Sequence, residues 1–176
     1  MSDVKNPTCF LTGATSGIGQ AAATELAAKG YSLCLTARSR DKAAATTQKI
    51  KAKTPGANIE WFYGDLAKLE DVQRIAHEFL ETGKPIDLLF LNAGLCQNTR
   101  VLTQDGIELM FAVNHLAPFL LTHHFMERLC AGGGETRIVV TASGAYSFAK
   151  TLNLEDVNCD TRFKTFEAYG NSKLAN

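Results

Sequence analysis

Two ionisable side chains near the end of the sequence have the spacing of a proton-transfer pair. Tyr169 and Lys173 are four positions apart, so on a helix both side chains project from the same face. A phenol is a weak acid at neutral pH, but an ammonium group beside it stabilises the phenolate. Such a tyrosine can donate a proton to a carbonyl being reduced or accept one from an alcohol being oxidised. The same spacing also suits an amphipathic surface pair, so two interpretations stay open.

Two uncharged polar residues could assist this chemistry. Ser143 follows an apolar run, where its hydroxyl could hydrogen-bond a substrate oxygen as charge develops on it. It could equally be an ordinary turn residue between Ala142 and Gly144. Asn114 lies four positions before Pro118 in a helical pattern, and its amide could simply satisfy backbone groups where that proline bends the helix.

A glycine-rich segment near the start of the chain indicates a phosphate site. Gly13, Gly17 and Gly19 have the spacing G-x-x-x-G-x-G, between an apolar run and a helical pattern. Small residues let the backbone approach a ligand, and the start of a helix offers unpaired N–H groups and a positive dipole end. That combination suits a pyrophosphate. The spacing differs from the common G-x-G-x-x-G fingerprint, and a glycine-rich connector without a ligand is the alternative.

The residues after the second apolar run bear on which dinucleotide would bind. Sites that select NAD usually carry an acid there, about 20 residues after the glycines, on the ribose 2′-hydroxyl. This chain has Arg38 and Arg40 instead, with no acid at the end of the run. A guanidinium suits the additional phosphate of NADP, so the sequence predicts NADP, with NAD less favoured. The alternative is that both arginines are solvated loop charges.

The elements that must position these residues alternate between apolar runs and helical patterns. Predicted strands cover residues 8–12, 31–37, 59–63, 86–91 and 137–141. Predicted helices cover residues 18–29, 43–53 with Ser39 as its cap, 69–80, 105–129 with an interruption at Pro118, and a last helix from about Phe166; residues 132–134 form a flexible glycine turn. Strands joined by crossover helices imply a parallel sheet covered on both faces. The fold class is therefore α/β, with a doubly wound, Rossmann-type sheet.

Composition excludes several other classes of protein. The 176 residues include 18 Lys and Arg against 18 Asp and Glu, which argues against a nucleic-acid or anionic-membrane partner. Five dispersed cysteines without a CxxC pair predict a reducing compartment, here the cytoplasm, rather than a disulfide framework. The sequence shows neither a membrane-length apolar run nor a signal-peptide core. His115, His123 and His124 lack acidic or cysteine partners at ligand spacing, so no metal site is predicted.

Taken in order, these motifs resemble those of the short-chain dehydrogenase/reductase family. The glycine turn is similar to the family's cofactor turn. Asp65 and Leu66, which follow the third apolar run, are similar to its adenine-contacting pair. Asn92-Ala93-Gly94 is similar to its N-N-A-G motif, with Leu91 replacing the first Asn. Residues 113–122 and 169–176 resemble the retinol dehydrogenase-like and protochlorophyllide reductase-like branch. The 26 positions from Ser143 to Tyr169 also suit that branch.

The resemblance assigns a role to each motif residue. It implies that Asn114, Ser143, Tyr169 and Lys173 are catalytic, with Lys173 also holding the nicotinamide ribose and Asn114 organising a water. The cofactor-binding residues it implies are Gly13, Thr15, Ser16, Gly17, Ile18, Gly19, Arg38, Asp65, Leu66, Asn92, Ala93, Gly94, Tyr169 and Lys173. The expected function is NADP(H)-dependent hydride transfer to or from a lipophilic carbonyl or alcohol, with a homo-oligomer possible.

Two other functions and one structural expectation complete the prediction. A regulator that senses NADP(H) without turnover would not need the Ser143, Tyr169 and Lys173 relay. The epimerase or dehydratase branch uses a G-x-x-G-x-x-G spacing that this chain lacks.

Because Asn176 is three residues past Lys173, the resemblance implies two further strands and a substrate loop. Residues 1–176 are then a single, C-terminally incomplete Rossmann domain that is inactive alone, with strand 137–141 at an exposed edge.

Overall fold

The strands form one parallel sheet. A computed structural model describes residues 6–131, 135–149 and 151–176. In chain order the strands are β1 (Thr8–Leu11), β2 (Ser32–Ala37), β3 (Ile59–Tyr63), β4 (Leu88–Leu91) and β5 (Arg137–Val140). They are arranged in the order β3-β2-β1-β4-β5, and each neighbouring pair is parallel. The predicted sheet is confirmed, with β2 and β4 beginning one and two residues later than the pattern indicated.

Helices connect the strands and cover both faces of the sheet. They are α1 (Gly17–Ala28), α2 (Arg40–Lys53), α3 (Leu69–Glu81), α4 (Leu109–Phe111), α5 (Ala117–Cys130) and α6 (Thr165–Leu174), with a π-helical segment (Ala112–Leu116) between α4 and α5. The Ser39 hydroxyl accepts a hydrogen bond from Lys42 N at 3.3 Å, so the predicted cap of α2 is confirmed. The predicted glycine turn at 132–134 lies outside the described residues.

Each face of the sheet has its own core. On one face, α3 and α5 pack against the sheet through four phenylalanine rings whose centroids are 4.9–5.9 Å apart. They are Phe10, Phe62, Phe79 and Phe125. On the other face, α1 and α2 pack through small side chains such as Ala23 and Ala27, together with Ile50. The doubly wound arrangement predicted from the alternation is therefore confirmed. β2 and β3 lie on one side of the central strand β1, and β4 and β5 lie on the other. The order in which strands are added therefore reverses between β1 and β4, and α/β sheets leave a crevice at such a point.

The long fourth helix differs from its prediction. The pattern predicted a helix over 105–129, but α4 begins at Leu109. The preceding residues instead form a tight turn with Gly106 at φ +73°, closed by a bridge between Leu102 and Glu108. The Glu108 carboxylate accepts a hydrogen bond from Phe111 N at 2.9 Å, which starts the helix after the turn. The predicted interruption at Pro118 is confirmed as the π-helical segment, which lies just before it.

Strand β5 lies at the edge of the sheet beside β4. All four of its residues are exposed, and Ile138, Val139 and Val140 keep 46%, 40% and 36% of their surface. The prediction of an exposed apolar edge strand is confirmed for the described chain. Within the described ranges, no helix is both long and apolar enough to cross a lipid bilayer.

The aromatic core gives a test of the packing. Phe125 is fully buried, with its ring 4.9 Å from Phe10 and 5.2 Å from Phe79. We expect Phe125→Ala to lower the free energy of unfolding by about 3–5 kcal/mol, because truncation leaves a cavity. Phe119→Ala on the same helix is the control, since Phe119 is 59% exposed and should cost less than about 1 kcal/mol. Urea denaturation measures both, and equal losses would contradict this description of the core.

Candidate active site

A cleft of about 500 Å³ lies at the carboxyl ends of the strands. This volume is within the range of small-molecule and cofactor sites. Residues from all five strand ends or the segments that follow them line the cleft: Gly13, Thr15, Ser16, Gly17, Ile18, Thr36, Ala37, Arg38, Gly64, Asp65, Leu66, Asn92, Ala93, Gly94, Leu95, Val113, Thr141, Tyr169 and Lys173. The structure thus brings the glycine turn, the strand-end residues and the Tyr-Lys pair to one cavity.

The three glycines of the turn have different structural roles. Gly13 has φ +73°, and a Cβ there would lie 2.8 Å from Ala93 Cα. Gly19 does not line the cleft; a Cβ at this position would come within 2.2 Å of the Gly13 carbonyl oxygen, so it lets α1 pack against the turn. Gly17 has φ +52° and open space around it. Gly13 and Gly19 therefore permit close packing, and Gly13 and Gly17 line the cleft.

The start of α1 has the features of an anion site. Ser16 is the N-cap, yet its side chain makes no capping hydrogen bond, and the first turn holds no acidic residue. The N–H groups of a first helical turn have no partner within the helix. The helix dipole adds a partial positive charge at this end. Without a competing carboxylate, this end of the cleft favours a phosphate group.

A polar junction joins the glycine turn to two neighbouring strands. The Thr12 hydroxyl accepts hydrogen bonds from Asn92 N and Ala93 N, both at 3.0 Å. The Asn92 amide donates to the carbonyls of Thr12 and Gly13 at 3.3 and 3.4 Å, and its oxygen accepts from Thr141 Oγ1 at 3.1 Å. The Asn92 side chain, predicted as a cofactor contact, thus also links the ends of β1, β4 and β5.

The far end of the cleft carries the arginine predicted to select the cofactor. Arg38 Nη1 lies 3.8 Å from Asp65 Oδ1, and the Arg38 side chain is 68% exposed. A pair this exposed contributes little to stability, so Arg38 can reorient toward a phosphate. The Arg40 guanidinium instead stacks 4.2 Å above the Tyr63 ring and does not line the cleft.

The other end holds the Tyr-Lys pair on α6. Lys173 is only 6% exposed, and its Nζ donates to the Thr141 carbonyl at 2.8 Å. Burial lowers the pKa of Lys173, with no charged group among the described residues contributing to the shift. Tyr169 is half-buried in the same cleft. A Cβ at Gly170 would lie 2.7 Å from the Ala145 carbonyl oxygen, so this glycine lets α6 approach the segment after β5.

Asn114 is almost completely buried and does not line the cleft. Its Nδ2 donates to the Leu95 carbonyl at 2.9 Å and to Ser172 Oγ at 3.0 Å, while its Oδ1 accepts from Leu95 N at 2.8 Å. The side chain therefore satisfies the backbone groups of Leu95 and not those of the helix bend, and a catalytic role for Asn114 stays a prediction. The side chain also connects the loop after β4 to α6, next to Lys173.

Ser143 is the other predicted catalytic residue that does not line the cleft. Its hydroxyl accepts from Ala145 N at 3.2 Å and caps the 3₁₀ helix Gly144–Phe148. This is the turn role that the sequence also allowed. The hydroxyl hydrogen is not used in accepting that bond, so a catalytic role for Ser143 stays a prediction.

Sequence reasoning missed several lining residues. They are Thr36, Ala37, Gly64, Leu95, Val113 and Thr141. Thr36 and Ala37 end β2, and Thr141 follows β5, so their positions at strand ends could have identified them. Val113 lies in the π-helical segment, where the pattern predicted a regular helix over 105–129, and its place in the cleft had no sequence signal.

Comparisons with known proteins agree with this geometry. Residues 7–175 match the family described as short chain dehydrogenase. The chain is 35% identical to the short-chain dehydrogenase TIC 32 B, chloroplastic, of Brassica napus, over 99% of this chain and 56% of that protein. It is also 35% identical to human retinol dehydrogenase 13, over 98% of this chain and 52% of that protein. The chain thus spans about half the length of these curated relatives.

The fold comparison leads to the same family. A short-chain dehydrogenase from Sphingobium yanoikuyae in complex with NADPH superposes with a TM-score of 0.75 at 26% identity, covering 96% of this chain and 60% of that one. The resemblance predicted from the motifs, including the retinol dehydrogenase-like branch, is confirmed. The chain belongs to the short-chain dehydrogenase family.

Proposed function

We propose that the protein is an NADP(H)-dependent oxidoreductase that interconverts a lipophilic carbonyl compound and its alcohol. The observation that carries the proposal is one continuous cleft joining the glycine turn, Arg38 and the Tyr169–Lys173 pair. A dinucleotide site and an acid–base pair are the two parts that hydride transfer requires. The named dehydrogenases among the relatives support the same reaction class.

The residues of the cleft fit a nicotinamide dinucleotide. Gly17 and the uncapped start of α1 would hold the pyrophosphate, since the first turn offers N–H groups and no acid. Asp65 and Leu66 would contact the adenine, and Ala93 and Gly94 would lie along the central part. We assign the remaining predicted cofactor contacts, namely Gly13, Thr15, Ser16, Ile18, Asn92, Tyr169 and Lys173, to the same cleft.

The preference for NADP rests on charge. Arg38 lines the cleft and is exposed, and its ion pair with Asp65 is long, at 3.8 Å. A guanidinium binds a phosphate through paired, charge-assisted hydrogen bonds. The Sphingobium relative was solved with NADPH, which supports the same choice without deciding it for this chain.

The catalytic roles follow from the environment of α6. When bound, the cofactor supplies or accepts the hydride. Lys173, held by the Thr141 carbonyl, directs its remaining N–H groups and its charge into the cleft. We assign the proton transfer to Tyr169 in the same cleft, which donates a proton during carbonyl reduction and accepts one during alcohol oxidation. Ser143 would donate its hydroxyl hydrogen to the substrate oxygen, and Asn114 keeps the loop at Leu95 in place.

We propose a lipophilic substrate because of the side chains near this end. Leu95 and Val113 contribute apolar surface to the cleft, and one relative is named a retinol dehydrogenase.

We also propose a reducing compartment, with the cytoplasm as the expected location. All five cysteines lie within the described residues and are free. Burial raises the pKa of the Cys9 thiol to about 12 and that of Cys34 to about 11, so both are inert.

Cofactor selection can be tested at Arg38. We expect Arg38→Ala to weaken NADP binding about 10-fold to 100-fold, since a hydrogen bond to a charged group contributes about 1.5–3 kcal/mol, and to leave NAD binding nearly unchanged. The control is Arg40→Ala, because Arg40 stacks on Tyr63 away from the cleft. Calorimetric titration of the full-length protein measures both affinities. Equal affinity of the unmutated protein for the two dinucleotides would contradict the proposed preference.

The proton donor can be tested at Tyr169. We expect Tyr169→Phe to lower turnover about 10²-fold to 10⁴-fold, the usual contribution of general acid–base catalysis, while NADPH binding stays within a few-fold. The assay follows NADPH consumption with retinaldehyde and other lipophilic aldehydes and ketones, using full-length protein. Tyr31→Phe is the control, since Tyr31 precedes β2 and does not line the cleft.

Two outcomes would overturn the proposal. If Tyr169→Phe retained normal turnover, another group would have to donate the proton. If the unmutated protein bound NADPH tightly but converted no carbonyl or alcohol, the NADP(H)-sensing alternative would be favoured.

A further inference from the structure

The main-chain carbonyl of Asn114 has lost its usual helical partner. In a regular helix this oxygen would accept a hydrogen bond from the N–H four residues later, but that residue is Pro118, which has none. The helix widens here into the π-helical segment Ala112–Leu116, and Ala117 N donates to the Ala112 carbonyl. A π-bulge of this kind is often found at functional sites, and here the Asn114 carbonyl accepts a hydrogen bond from outside the helix.

The side chain of Asn176 supplies that donor. Its Nδ2 donates to the Asn114 carbonyl at 2.9 Å, and its Oδ1 lies 3.1 Å from His115 Nδ1. The carbonyl can only accept, so the amide nitrogen must face it and the amide oxygen must face the imidazole. His115 Nδ1 is then the donor of the second bond. The two contacts fix the orientation of the Asn176 amide.

These contacts connect the π-helical segment to the helix that carries the proton-transfer pair. Ser172 Oγ accepts a hydrogen bond from Asn114 Nδ2 at 3.0 Å. Asn176, four positions after Ser172, binds the main-chain carbonyl of Asn114. Tyr169, Ser172, Lys173 and Asn176 are separated by helical spacings and share one face of α6 and its end. Asn114 is therefore held at its side chain and at its backbone by the face that presents Lys173.

We propose that Asn176 is a positioning residue of the active site, which holds Asn114 and the π-helical segment against α6 and so fixes Lys173 at the Thr141 carbonyl. The proposal rests on the proposed function, because its consequence for turnover depends on Tyr169 and Lys173 being the proton-transfer pair. Asn176 does not line the cleft, so it acts through its neighbours and not on substrate or cofactor.

The loss of the Asn176 donor should weaken catalysis more than binding. In Asn176→Ala the Asn114 carbonyl loses the Asn176 donor, and the hydrogen bond from Asn114 Nδ2 to Ser172 remains between the segment and α6. A misplacement of about 1 Å can cost as much as about 100-fold in rate, so we expect kcat to fall about 10-fold, with the KM for the carbonyl substrate and the Kd for NADPH within about threefold. Asn176→Asp should be worse, because its carboxylate would face the Asn114 carbonyl without a hydrogen to donate.

A second measurement needs no substrate. Burial lowers the pKa of Lys173, so loosening of α6 should hydrate its ammonium and raise this pKa toward the ordinary value. The full-length protein, labelled with [13Cε]lysine and assigned with Lys173→Arg, allows this titration to be followed by NMR. We expect the Lys173 titration to move to higher pH in Asn176→Ala and Asn176→Asp. Asn58→Ala is the control, since Asn58 binds Ser32 where β2 and β3 begin, away from the carboxyl ends that form the cleft.

The outcomes separate this inference from the proposed function. A lower kcat with unchanged Kd for NADPH, an unchanged unfolding midpoint and a shifted Lys173 titration would support it. Unchanged kcat and titration in both variants would overturn it, as would a parallel loss of NADPH binding and unfolding midpoint, which would indicate a general structural role. If the unmutated protein has no turnover, the proposed function fails, and the Lys173 titration alone decides whether Asn176 positions Lys173.

Discussion

The arrangement of the site depends on the burial of one ammonium group. Lys173 is 6% exposed and donates to a single acceptor among the described residues, the Thr141 carbonyl. Burying a charge with so few partners is costly, so the surrounding structure must hold it there. Three parts of the structure do this: Thr141, just after β5, presents the carbonyl, α6 carries the lysine, and the π-helical segment anchors α6 through Asn114.

The same strand ends also form the dinucleotide end of the cleft. Asn92 joins the Gly13 carbonyl on one side to the Thr141 hydroxyl on the other, and the Thr141 carbonyl receives Lys173. The glycine turn and the proton-transfer pair are therefore connected through two polar side chains at the carboxyl ends of β1, β4 and β5. A shift of any of these strand ends would change both the phosphate site and the position of the ammonium.

Much of this could be predicted from the sequence, because it depends on local patterns. Alternating apolar runs and helical periodicity predicted the parallel sheet, and the position of the glycines between β1 and α1 predicted the turn. The sequence left open whether Asn114 and Ser143 contact a substrate or the backbone, since an amide or hydroxyl has the same spacing in either role. It also missed Val113, because a π-helical segment changes which residues face the cleft, and the Gly106 turn that delays the start of the helix.

The most direct test of the account is whether the hydrogen of the cofactor reaches the substrate. Full-length protein, NADPH deuterated at the transferable position and a lipophilic aldehyde in single turnover would be analysed by mass spectrometry of the alcohol formed. If the protein transfers hydride, we expect one deuterium in the alcohol for each NADPH consumed, with a slower rate than for unlabelled NADPH. Tight binding of NADPH without any deuterated alcohol, across a broad panel of aldehydes and ketones, would contradict the account.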